Sequence, residues 1–366
     1  MKKIAALMVI CLLGLPFTME ISAKEISTSA GATVLYCVES DTVLYQKNMN
    51  KQMKMASTTK IMTTLITLEE AEKKNKTVTF TKDMIEEGSS MYLKLGEKVT
   101  LKDLCVGMML PSGNDAATAA AMSISGSKED FAVKMNDKAK KLGLKDSHFV
   151  TPSGLDDEEH YSTAHDMAML MKECIRHKDF VEISGSKSKS VSFVSPRDKI
   201  VTYQNHNRLL SEYPYCIAGK TGYTMAAGRC LVTAAKKDGV TLIAVTLNDR
   251  DDWNDHKNLF DYGFSKIHKS TLKGKTIKTQ IVGGTKDVTS IKIPTKNFYT
   301  EEENPKITSK IFLSSFEYAP VKKGSKAGCV VFYDGKTELE CVDLTYTEDI
   351  EYKHENFIIE FFRGLF

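Results

Sequence analysis

The sequence predicts an α+β chain in which a larger domain over residues 24–268 mixes β-hairpins with helices and a smaller all-β domain follows over 276–350. Two observations carry this reading. As far as Phe264 the hydrophobic period switches between 2 and about 3.6, the marks of strands and helices respectively. Beyond the polar, lysine-rich stretch HKSTLKGK, read as a linker, only short β-rich runs remain, among them TQIV, SIKI, ITSKIFL, GCVVFY and ELECVDL, separated by Gly, Pro and charged turns. At 366 residues and 42% hydrophobic content the chain can bury a core in both parts.

The elements follow in order. Residues 1–23, MKKIAALMVICLLGLPFTMEISA, have two lysines, an apolar run from Ile4 to Phe17 and small residues at the end. This is the layout of a secretory signal peptide, which places the mature chain outside the cytoplasm; a retained membrane anchor is the alternative. TVLYCVESDTVLY alternates about Ser40-Asp41 and predicts a hairpin. From Ala56 the pattern is helical, with Ile61, Met62, Leu65 and Ile66 at one-turn spacing. Thr100 and Asp103 form a capping box ahead of Leu101, Leu104 and Met108. An alanine-rich helix covers Asp115 to Met122, and another runs from Lys128 to Leu142, stopped by Gly143. A further helix begins at Ser162 or Thr163. Two β-rich runs then flank a Lys237-Asp238-Gly239 turn, and HKNLFDYGF is the last helical stretch of this half. Residues 351–366 place Phe357, Ile358, Phe361, Phe362 and Leu365 on one face, predicting an amphipathic helix that lies in a membrane surface or packs on the β module.

Composition excludes several classes. The net charge is +3 and no basic run is interleaved with aromatics, so nucleic acid is not an expected partner. Of eight cysteines one lies in the leader, and the rest lack CxxC spacing, which argues against a zinc site or a disulfide framework. Cys329 and Cys341 flank an Asp334-Gly335 turn, and register decides whether they can bond. Gly219-Lys220-Thr221 imitates the end of a phosphate-binding loop. Pro214 stands where that loop needs glycine, however, and a hairpin rather than a helix follows. The run Asp156 to His160 reads as a solvated loop, not a metal site, since His160 and His165 lack HExxH spacing.

Three short motifs carry chemistry. In Ser57-Thr58-Thr59-Lys60 the hydroxyl and amine lie one turn apart on one face, where the amine can approach the hydroxyl and free N–H groups favour an anion. In Ser112-Gly113-Asn114 the serine can pass protons and the amide can hold a substrate carbonyl. On a strand, Lys220 and Gly222 share a face, and the glycine leaves room for a substrate backbone. Lys220 and Thr221 suit a terminal carboxylate. Pro152-Ser153-Gly154 repeats Pro111-Ser112-Gly113 but continues with Leu155 in place of Asn114, so it reads as a turn.

The ordered set SxxK, SxN, KTG resembles the signature of penicillin-binding proteins and class A β-lactamases. GSSMYLKLGEKVTL, LPSGNDAATAAA, LGLKDSHFVTPSGLD, HYSTAHDMA, NHNRLL and FEYAPVKKGSKAG match as well. From about Lys24 to its end the chain is similar to the low-molecular-mass penicillin-binding proteins, the serine-type D-alanyl-D-alanine carboxypeptidases. That resemblance implies a five-stranded antiparallel sheet with a helical cluster, then a β-rich domain. It implies peptidoglycan stem peptides ending in D-Ala-D-Ala as substrates, β-lactams as covalent inhibitors, no cofactor, and attachment to the outer face of the cytoplasmic membrane through the C-terminal helix. Ser57, Lys60 and Ser112 would be catalytic; Asn114, Lys220, Thr221, Gly222 and Tyr223 would bind substrate, Tyr223 through its backbone N–H. Some relatives have arginine where His206 stands, so carboxylate binding is expected to lean more on Lys220. A β-lactamase or a D,D-endopeptidase is the alternative, and a non-catalytic wall-binding or sensor protein a more distant one.

Overall fold

The computed structural model describes residues 26–303 and 305–353. The expected signal peptide and amphipathic terminal helix therefore lie outside the described residues, apart from 351–353. Strands β1 (Ala32–Cys37) and β2 (Thr42–Lys47) form the predicted hairpin. A 3-10 turn, Ala56–Thr59, runs into α1 (Lys60–Lys73). Short strands β3 (Thr77–Thr79) and β4 (Lys98–Thr100) bracket an irregular loop. The helical cluster follows: α2 (Leu101–Met109), α3 (Asn114–Ser125), α4 (Lys128–Leu142), α5 (Ala164–Cys174) and α6 (Lys178–Ser184). A hairpin of β5 (Ser188–Ser192) and β6 (Ile200–Gln204), with the one-turn helix α7 (Leu209–Glu212), leads to β7 (Cys216–Thr224), β8 (Gly228–Lys237), β9 (Val240–Leu247) and α8 (Asp252–Lys266).

Local chemistry sets these boundaries. Thr100 Oγ1 accepts from Asp103 N at 3.3 Å while Thr100 N donates to Asp103 Oδ2 at 2.8 Å, the reciprocal cap that starts α2. Ser127 and Thr163 cap α4 and α5 by accepting from Asp130 N and Asp166 N, each at 3.0 Å. Such caps are worth about 1 kcal/mol apiece.

The five-stranded sheet is antiparallel in the order β2-β1-β9-β8-β7. Its central strand β9 is buried at every residue, because helices cover both faces. Val34, Val232 and Val245 meet the helical cluster, whereas Leu35, Leu231 and Leu242 meet Leu259 and Phe260 of α8. The period of two along each strand produces that division. Strand β7 is an edge strand, and it carries the Lys220-Thr221-Gly222 motif, with Lys220 buried and Thr221 and Gly222 half-buried.

The remainder is all β: β10 (His268–Leu272), β11 (Thr276–Val282), β12 (Val288–Lys292), β13 (Lys296–Thr300), β14 (Ile307–Leu313), β15 (Phe316–Tyr318), β16 (Lys326–Asp334) and β17 (Thr337–Thr345). Ile281, Ile291, Val330, Phe332, Leu344 and Ile350 belong to its separate core. One expectation is corrected here. HKSTL is not linker but strand β10, paired with β13, and its side chains alternate between half-buried and exposed, a period of two that its polar composition hides. Cys329 stands opposite Asp343, and Cys341 opposite Val331, so the two cysteines are diagonal neighbours on one sheet face and both are free thiols. Among the described residues no helix is long and apolar enough to cross a membrane.

Candidate active site

The structure gathers the eight residues singled out from the sequence where β7, the turn before α1 and the start of α3 meet: Ser57, Ser112, Thr221, Gly222 and Tyr223 line one cleft, and Lys60, Asn114 and Lys220 are buried beside it. Ser57 sits in the 3-10 turn, not yet in the α-helix, and Lys60 is the first residue of α1. In a 3-10 turn side chains three apart eclipse, which stacks the amine directly over the hydroxyl. Lys60 Nζ lies 2.8 Å from Ser57 Oγ, 2.7 Å from Asn114 Oδ1 and 2.7 Å from the Ser153 carbonyl oxygen.

Those neighbours complete the amine's hydrogen bonding. Asn114 Oδ1 and Ser153 O only accept, and Ser57 can either donate or accept. A neutral amine would donate to the first two and accept from the Ser57 hydroxyl, and an ammonium would donate to all three, so these contacts satisfy either state. Burial favours the uncharged form: Lys60 is wholly buried, and desolvation, then the neighbouring Lys220 ammonium, hold its pKa well below the ordinary lysine value against the opposing pull of Asp115. Lys220 is 1% exposed, and burial lowers its pKa to about 7. Its ammonium donates to Ser112 Oγ at 2.9 Å and to the Thr221 carbonyl oxygen at 2.8 Å.

Backbone shape fixes these contacts. Ala56 (φ 48°) and Ser112 (φ 63°) both occupy the left-handed region, uncommon for residues with a Cβ, and strain of about 1–3 kcal/mol at such positions is characteristic of functional sites. A Cβ on Gly222 would lie 3.0 Å from Met55 O and 3.1 Å from Ser57 N, so β7 can come this close to the nucleophile's own amide only as glycine. Asn114 donates through Nδ2 to the Glu87 carbonyl at 2.5 Å, and Asp115 accepts from Met91 N at 2.7 Å, so the loop before β4 is strapped onto α3.

Some of the site escaped the sequence. The second Pro-Ser-Gly copy, read as a turn, is also the back wall: Ser153 O holds Lys60, and Pro152 O accepts from Thr63 Oγ1 at 2.6 Å. Gly154 has φ +84°, and a Cβ there would fall 2.0 Å from Ala56 O. His160 is likewise corrected, since it is not solvated but 2% exposed. Its Nδ1 accepts from Val150 N at 2.9 Å, which leaves the proton on Nε2, 2.8 Å from Thr59 Oγ1; burial lowers its pKa to about 4. Arg229, Asp252 and Trp253 join Ser57, Thr221 and Tyr223 around an open cleft of about 480 Å³. No motif marks them, because strand pairing and α8 bring them in. Lys60, Asn114 and Lys220 lie beneath the cleft floor and do not line it. Among the described residues no group of three His, Cys, Asp or Glu side chains could hold a metal ion.

The sequence profile of the D-alanyl-D-alanine carboxypeptidase family matches residues 19–251. D-alanyl-D-alanine carboxypeptidase DacF of Bacillus subtilis is 33% identical over 355 residues, covering 90% of this chain and 90% of that protein. DacC of Escherichia coli is 34% identical, covering 92% of this chain and 88% of its own length. Among solved structures, penicillin binding protein 5 from Haemophilus influenzae superposes with a TM-score of 0.70 at 26% identity, over 89% of this chain and 98% of that one. The Streptomyces K15 DD-transpeptidase gives 0.62 at 30% identity over 65% of this chain and 98% of its own.

Proposed function

Because the chain belongs to the D-alanyl-D-alanine carboxypeptidase family, we propose that its cleft removes the terminal D-alanine from peptidoglycan stem peptides through an acyl-enzyme on Ser57. Uncharged Lys60 takes the Ser57 proton as the hydroxyl attacks the penultimate D-alanine carbonyl. Backbone N–H groups of Ser57 and Tyr223 receive the developing oxyanion. Ser112, polarised by Lys220, delivers a proton to the departing D-alanine amine, and Lys220 with Thr221 attracts the terminal carboxylate. Asn114, expected from the sequence to bind substrate, orients Lys60 through Oδ1 from beneath the cleft floor while its Nδ2 donates to Glu87 O. Water, activated by Lys60 or Ser112, then releases the shortened peptide. β-Lactams enter by the same attack and remain on Ser57.

The observation that carries this reading is the 2.8 Å approach of a fully buried Lys60 amine to Ser57 Oγ, with a second buried amine 2.9 Å from Ser112. A slow-turnover penicillin adduct, not rapid lactam hydrolysis, is favoured because Asp252 is the one carboxylate among the described residues lining the cleft, and it is engaged by Arg229. Work on the cell wall places the enzyme outside the cytoplasm. The signal-peptide layout of residues 1–23 and the apolar stripe of residues 351–366 are the sequence features that support export and membrane attachment.

Muropeptides analysed by mass spectrometry before and after incubation provide the test. Wild-type protein is expected to convert pentapeptide stems to tetrapeptides and to bind fluorescent penicillin stably, while Ser57→Ala does neither. Rapid penicillin turnover would favour the lactamase reading, and crosslink cleavage without D-alanine release the endopeptidase.

A further inference from the structure

Resting on the carboxypeptidase reading, we infer that Arg229 binds the free carboxylate at the end of the substrate, with Asp252 and Trp253 holding its guanidinium at the mouth of the cleft. Arg229 lies on β8 directly opposite Tyr223, and Leu231 lies opposite Thr221. Directly opposed residues project from the same sheet face, so the Arg229 side chain, the Thr221 hydroxyl and Tyr223 emerge together. All three line the cleft that also holds Ser57.

The guanidinium is fixed without being used up. Its Nε donates to Asp252 Oδ2 at 3.1 Å and its Nη2 donates to Asp252 Oδ1. The guanidinium carbon stands 5.9 Å from the centre of the Trp253 ring. Guanidinium has five N–H bonds, and this fork employs two of them. The other three, both on Nη1 included, meet no acceptor among the described residues, and the Arg229 side chain is 43% exposed whereas that of Asp252 is 5% exposed. A purely structural ion pair would not need donors opening onto the cleft. A carboxylate there can take two parallel N–H bonds, the strongest arrangement available to it.

The other cations near the cleft leave room for this further contact to the carboxylate. His206 stands where some relatives have arginine, and burial together with Lys220 depresses its pKa, so the ring is uncharged at neutral pH. Lys220 titrates near 7 and already gives hydrogen bonds to Ser112 and Thr221. Among the described residues lining the cleft, Arg229 alone carries a charge that never titrates in the working range.

Acylation of Ser57 by benzylpenicillin and by its methyl ester separates the contributions. Arg229→Gln is expected to slow acylation by the free acid about 10- to 100-fold, the share expected of a charge-assisted hydrogen-bonded pair, and to leave the ester within about twofold of wild type. Arg229→Lys, which keeps the charge but loses the fork, should fall between. The ester rate also reports whether the variant has kept its fold. A free-acid rate within twofold of wild type, or equal losses for acid and ester, would overturn the inference. A wild-type chain that neither releases D-alanine nor forms an adduct would instead overturn the carboxypeptidase reading, and this inference with it.

Discussion

At the scale of the residue, the proposed mechanism depends on two buried amines in opposite charge states. Lys60 must be neutral to accept a proton, and Lys220 must be charged to attract a carboxylate and polarise Ser112. Burial lowers both, and the Lys220 charge also lowers Lys60; the proposed mechanism requires Lys60 to lose its proton first as pH rises. The profile of kcat/KM should therefore be a bell, rising through the depressed Lys60 pKa and falling as free-enzyme Lys220 deprotonates around 7. Lys220→Arg should remove the alkaline limb, at a lower plateau, because guanidinium does not titrate there. An unchanged limb would assign it to another group. Gly222→Ala is the second expectation. Its Cβ would press on backbone atoms at 3.0–3.1 Å that no rotamer change can relieve, so Ser57 should shift by tenths of an ångström and acylation should slow about 10-fold or more with little loss of Tm. Stopped-flow acylation and thermal melts check both halves. Ser57, Lys60, Ser112, Asn114 and Lys220 were legible because each stands in a short motif whose spacing has a chemical meaning. Ser153 was not, since it acts through a backbone carbonyl, which every residue possesses.

At the scale of the element, helix starts were the most readable feature. Thr100, Ser127 and Thr163 announce them by side-chain chemistry that is local in sequence. The β5–β6 hairpin and β10 were missed, because their polar faces hide a weak period of two and their pairing partners are set by the tertiary fold. The docking of α8 is equally hidden. His256 is fully buried, with Nδ1 2.6 Å from Thr233 Oγ1 on β8 and Nε2 3.1 Å from Thr246 Oγ1 on β9. Burial lowers its pKa to about 3 from the usual 6.5. Between those values the unfolded chain binds a proton that the native chain refuses, so stability falls as pH drops through that window. The loss from this one group approaches, on the order of, 4 kcal/mol by pH 3. His256→Gln should accordingly flatten the acid side of the urea-unfolding stability profile, though it lowers stability at pH 7. An undiminished slope would trace acid sensitivity to His160 or the carboxylates instead.

At the scale of the molecule, the α+β half and the β half have separate cores, and the cleft takes every lining residue from the first. A chain of residues 24–268 should consequently be acylated by penicillin within about threefold of the full-length rate. A larger loss would mean that the β module braces the cleft, for which Tyr299, packed against the α8 side of the sheet, is the contact to examine. The two-part division could be read from composition, and a five-stranded antiparallel sheet came only through family resemblance, while the order of its strands was not legible because pairing partners lie far apart in sequence. Strand order has its own effect on timing. Because β1 pairs with β9 more than two hundred residues further along, Val34 opposite Val245, the sheet cannot close until nearly all of the first half has emerged. Ser57 and Lys60 are made early, but the edge strand bearing Lys220 arrives late. A nascent or half-threaded polypeptide thus holds a harmless serine, and reactivity begins only when the last strands zip into place.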